Sequence, residues 1–168
     1  MKRENRSFLY QWLVLLVPFL TLISPSWLSI GGIGPRWEQL WLLPFALEEG
    51  PLNGLFAGFC LGLILDGLNL NGSSQIPALV ILGYWWGVLG RKNKYSDSIF
   101  QLGLFAWVGA LFSGISIWVQ QMFLINGGIF FIFNAWALHN IFAASILNAL
   151  LAPLLCSVVL RFFYRAKN

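Results

Sequence analysis

The residues able to do chemistry are few, and their spacing is the first clue. Gly54, Gly58 and Gly62 recur at every fourth position and lead to Asp66. Residues four apart share one helical face. Such a helix carries a flat glycine groove that ends in a carboxylate. Lipid supplies no hydrophobic force between helices, so close backbone approach at small residues helps to join them. The spacing predicts tight packing of another helix on this face. Asp66 is expected to accept hydrogen bonds from a neighbouring helix or from the loop that follows. The competing reading is an acid that simply reaches water at the polar stretch 69–75. Asn148 is the second polar group of interest. It lies well inside an apolar run, where an amide needs a partner. Gln120 and Gln121 are its candidate partners.

Other chemistry finds no support. His139 is the single histidine and cannot assemble a metal site. Cys60 and Cys156 lie in apolar runs, at neither metal-binding nor disulfide spacing. There is no phosphate loop, HExxH or CxxC motif, and no nucleophile–base–orienter set. Glu48 and Glu49 precede Pro51 in a turn read as solvated, where they suit the dipole of the next helix. No enzyme activity, metal or cofactor is expected.

The elements that position these residues are read from hydropathy. The chain is 58% hydrophobic and 10% charged, with a mean hydropathy of +0.75. Soluble domains carry about 25% charged residues. A chain this poor in charge reads as an all-α integral membrane protein, one polytopic domain of 168 residues. A membrane helix needs roughly 20 apolar residues. The apolar segments fall at about 8–30, 37–49, 51–68, 76–90, 98–125 and 138–160. This predicts a bundle of about six helices, some short or re-entrant. The first is read as an uncleaved span rather than a signal peptide, because it is long and no cleavage site follows.

Charge sets the orientation. The net charge is +4, and nine of the ten basic residues lie at the N-terminus, at 91–94 and in the C-terminal tail. Basic loops stay cytoplasmic, so both termini are expected inside. That parity survives even if 37–68 is a re-entrant hairpin. Arg36 is the one basic residue placed outside. This distribution argues against nucleic-acid binding. Most of the nine tryptophans, Trp37 among them, sit near segment ends or in short segments and read as interfacial belts.

These residues resemble a family. The basic N-terminus, Pro35-Arg36-Trp37, the glycine–aspartate stretch 58–66 with Gly72 after it, and Asn148 with Pro153 in a last span before a basic tail are similar to the rod shape-determining MreD family. The resemblance covers essentially the whole length. The fifth span is generic, and the acidic pair at 48–49 matches no family role. The resemblance implies a non-enzymatic scaffold or adaptor of side-wall peptidoglycan synthesis in the bacterial inner membrane. The implied partners are MreC, MreB and the elongation-specific glycosyltransferase and transpeptidase. Gly54, Gly58, Gly62, Asp66, Asn148 and Pro153 would be structural, and Arg36 and Trp37 would contact a partner or lipid. The family also resembles, in fold, the substrate-binding subunits of energy-coupling-factor transporters. That gives the alternative function, a small-molecule-binding transporter subunit.

Overall fold

The computed structural model describes residues 29, 31–68, 73–92, 99–124 and 135–167. The expected first span at 8–30 lies outside the described residues, apart from Ser29. Among the described residues there are five helices: α1 (Trp37–Glu49), α2 (Pro51–Leu68), α3 (Ile76–Lys92), α4 (Ile99–Leu124) and α5 (Ala135–Lys167). Three stretches are long and apolar enough to cross a membrane: Pro51–Leu68, Phe100–Phe123 and Leu138–Val159. Helix α3 is apolar but shorter.

The helices form two closely packed pairs, α2 with α3 and α4 with α5, and α1 touches all four. Helix α1 has 13 residues and is therefore about 20 Å long. It is wedged into the core: Leu40, Leu42, Leu43 and Ala46 are all buried. Gly50 stops it. Its φ of +92° is open to glycine and strained for other residues, and a Cβ there would meet the Arg91 side chain. Pro51 then opens α2 at the first helical position, where its missing N–H costs nothing.

Glycine brings α2 and α3 together from both sides. A Cβ at Gly54 would strike the carbonyl of Gly83, and one at Gly58 the carbonyl of Leu79. At Gly62 it would stand 2.7 Å from the Ile76 Cα. The answering face on α3 is also glycine. Gly83 meets the Gly54 backbone, Gly87 meets Pro51, and Gly90 meets Leu47 of α1. The two backbones touch, so neither side can give.

Prolines inside helices free carbonyls, and the fold answers one of them with a side chain. Pro44 has no N–H to give Leu40, four residues back. The Leu40 carbonyl instead accepts from the Cys156 thiol of α5, at 3.8 Å. Cys156 is thus a buried contact between α1 and α5, while Cys60 is exposed on α2. Trp86 corrects the belt reading for one tryptophan. It is fully buried, and its ring lies against Gly109 of α4.

Gly58→Ala is expected to lower the thermal transition and the yield of folded protein sharply, because the clash is with backbone. Gly67→Ala should be neutral or stabilising by up to about 1 kcal/mol, since open space surrounds Gly67. Thermal unfolding of the purified variants checks both.

Candidate functional site

Helix α1 begins halfway along the bundle. Asn148 stands in the middle of the apolar stretch Leu138–Val159, and Ser113 stands near the middle of Phe100–Phe123. Both reach the first turn of α1. The Asn148 amide nitrogen donates to Gln39 Oε1 at 3.0 Å. The Gln39 amide donates in turn to Ser113 Oγ at 2.5 Å. The Asn148 carbonyl oxygen accepts from the backbone N–H of Arg36 at 2.9 Å. Gln39, Asn148 and Ser113 are each at most 3% exposed. The chain of bonds therefore ties α1, α4 and α5 together in the buried interior.

The reason for this tie is the backbone. Residues 34–36 are irregular and run into the bundle between the turn at Gly31 and α1. An unpaired N–H buried there costs about 1–3 kcal/mol. Asn148 satisfies the Arg36 N–H. The Gly31 end of this segment lies by His139, about two and a half turns of α5 away from Asn148. The other end of α1 reaches Arg91.

One sequence expectation changes here. Asn148 pairs with Gln39 and the Arg36 backbone, while Gln120 is engaged elsewhere and Gln121 is exposed. Arg36 occupies the N-cap position of α1 without a side-chain cap and is half-buried, level with Asn148. Its neighbour Glu38 is 5% exposed. Gln39 is not singled out by the sequence because the segment is short and its polar residues, Glu38, Gln39, Glu48 and Glu49, sit at its two ends.

A second polar knot lies at the Ser74 end. The Asp66 carboxylate accepts from the Gln75 N–H at 2.7 Å and from the Ser74 hydroxyl at 2.5 Å. Ser74 Oγ also accepts from the Ile76 N–H at 3.2 Å. Asp66 and Ser74 together thus cap the N-terminus of α3, where negative charge suits the helix dipole. Gln120 of α4 grips the same residue twice. Its Oε1 accepts from the Ser74 N–H and its Nε2 donates to the Ser74 carbonyl, both at 2.8 Å. The glycine face of α2 therefore leads into a lock among α2, α3 and α4.

Some buried polar atoms have no partner: the indole nitrogens of Trp37 and Trp86 and Oδ1 of Asn140. Among the described residues, no group of histidine, cysteine, aspartate or glutamate could hold a metal ion. A lateral groove of about 500 Å³ runs between α4 and α5, lined by Phe100, Gly103, Leu104, Trp107, Ala149 and Pro153. Pro153 leaves the Ala149 carbonyl without its usual helical donor, and Gly103 lets α4 approach that carbonyl closely. No family model matches the chain, and no curated protein or solved structure is detectably similar to it.

Asp66→Asn keeps an acceptor for Gln75 and Ser74 and is expected to be the milder change. Asp66→Leu strands both donors and should cost about 1–3 kcal/mol. Unfolding of the two variants checks this, and equal wild-type behaviour of both would contradict it.

Proposed function

We propose that this chain is a non-enzymatic scaffold of the bacterial inner membrane, serving side-wall peptidoglycan synthesis as MreD-type proteins do. The assignment to that machinery rests on the sequence resemblance. One structural observation supports the scaffold half of the reading. The polar side chains best placed for chemistry, Gln39, Ser113, Asn148, Asp66 and Gln120, are engaged in joining helices. A bundle tied this way presents a fixed apolar outer surface to lipid and to partner helices. The α4–α5 groove is a shaped part of that surface, with a floor of Gly103 and Ala149. Small residues of this kind are where membrane helices approach one another. In this reading the chain crosses the membrane several times, with the Arg91 end cytoplasmic.

The experiment is co-purification of the tagged full chain with MreC from a rod-shaped bacterium, together with scoring of cell shape. Wild type should retain MreC and restore rods to a strain lacking its own MreD. Leu104→Trp, which fills the groove, should reduce MreC severalfold with an unchanged thermal transition. Failure of wild type to retain MreC or to restore shape would contradict the proposal.

The transporter-subunit reading keeps one observation in its favour. Helix α1 starts within the bundle, and in membrane transporters the ends of broken helices often receive ligands. The α4–α5 groove does not serve that reading, because its lining is apolar.

A further inference from the structure

Helices α4 and α5 run antiparallel, because Gly103 faces Ala149 and Gly114, further along α4, faces Ile141, further back on α5. The groove between them lies at the end where α4 starts. It runs from Phe100 to Trp107, about 10 Å along the α4 axis, with Pro153 on the opposite wall. The hydrocarbon of one leaflet is about 15 Å deep. The groove therefore fits within a single leaflet, and it opens sideways: Phe100 is 80% exposed and Leu104 46%. With the Arg91 end of the bundle inside, that leaflet is the cytoplasmic one.

The two helices that bound the groove carry charge of one sign. Neither α4 nor α5 contains an aspartate or a glutamate, and α5 adds Arg161, Arg165 and Lys167 beyond Pro153. Arg161 follows Pro153 by eight residues, or about 12 Å along the axis. The antiparallel register sets this part of α5 past the start of α4 at Ile99. Asp97, just before α4, is offset by Lys94. An apolar groove and a basic end thus follow one another along α5. A phospholipid has the same order, hydrocarbon chain and then phosphate.

The size of the groove narrows the choice of occupant. Its 500 Å³ spread over about 10 Å leaves a section of about 50 Å², whereas a helix about 10–12 Å across needs about 80–110 Å². A helix can lay a row of side chains in the groove, but a hydrocarbon chain can enter it whole. We propose that the α4–α5 groove binds a hydrocarbon chain of an anionic phospholipid from the cytoplasmic leaflet, with the lipid phosphate at the end of α5 that carries Arg161, Arg165 and Lys167. Basic sites between membrane helices on the cytoplasmic side hold anionic head groups in this way. The groove supplies the apolar contact and the basic end supplies the preference for a negative head. The inference goes beyond the scaffold reading and takes from it only which end of the bundle is cytoplasmic. Lipid chain and partner side chains share one surface, so a docked partner helix displaces the lipid.

The test is native mass spectrometry of the purified full chain, without partners, titrated with lipid in detergent. The probe is dioleoylphosphatidylglycerol, and dioleoylphosphatidylcholine has the same chains with a zwitterionic head. Wild type should bind the first at least about fivefold more tightly than the second. Dihexanoylphosphatidylglycerol, which keeps the head and shortens the chains, should bind severalfold more weakly than the dioleoyl form. Leu104→Trp should weaken phosphatidylglycerol binding severalfold, while Ile81→Trp on the exposed face of α3 should bind as wild type does. Arg161→Gln, Arg165→Gln and Lys167→Gln combined should abolish the preference between the two heads. The proposal is overturned if wild type binds both dioleoyl lipids equally, or if Leu104→Trp leaves phosphatidylglycerol binding unchanged. Should Leu104→Trp lower MreC capture but not lipid binding, the groove is a protein dock alone, and the lipid proposal falls while the scaffold reading stands. The wild-type comparison of the two heads decides the matter even if a variant fails to fold.

Discussion

The rest of the structure depends on one interior tie, in which Asn148 joins the Arg36 backbone to Gln39 and Gln39 joins Ser113. A helix that starts within an apolar bundle brings backbone donors that water cannot reach. Asn148 answers the donor just before the first turn of α1, and its own amide is answered by Gln39. With that settled, α1 can lie in the core rather than on the surface, and its leucines fill the space among four other helices. The same strategy recurs at Leu40, whose carbonyl is freed by Pro44 and met by Cys156.

The remaining contacts divide the labour between packing and polar registration. Glycines on α2 and α3 allow backbone contact along the pair, but a smooth face of glycine does not by itself fix how far one helix slides on the other. The knot of Asp66, Ser74 and Gln120 supplies that registration at one end. Gly50, with Arg91 packed against it, closes the other end. Helix α4 serves both systems, through Ser113 at its middle and Gln120 near its end. It thereby connects the α2–α3 pair to the α4–α5 pair.

Much of this was legible in the sequence where the signal is local. Period-four glycine marks a helix face whatever surrounds it, and Asp66 could be placed beside the loop that follows α2. An amide deep in an apolar run announces that it has a partner. The identity of that partner is a matter of tertiary geometry. Gln120 looked suitable for Asn148 because it too lies in a long apolar helix, but it stands at the far end of α4. Gln39 is hidden because a short segment with polar residues at both ends reads as a helix that dips into the membrane with its polar groups at the surface. The glycines of α3 were missed for a different reason. Gly83, Gly87 and Gly90 keep a mixed spacing of four and three, which is weaker as a pattern and equally effective as a surface. Trp86 shows the limit of reading tryptophan by its place along a segment, since its burial depends on Gly109 of a different helix.

The most direct measurement is a double-mutant cycle on Gln39 and Asn148, read by unfolding of the purified protein in a defined detergent. Gln39→Leu and Asn148→Leu each strand a buried partner and should each cost about 1–3 kcal/mol. Because the two amides answer one another, the double variant should cost less than the sum, with a coupling of about 1 kcal/mol. Strictly additive costs, or single variants as stable as wild type, would show that this tie does not hold α1 in place.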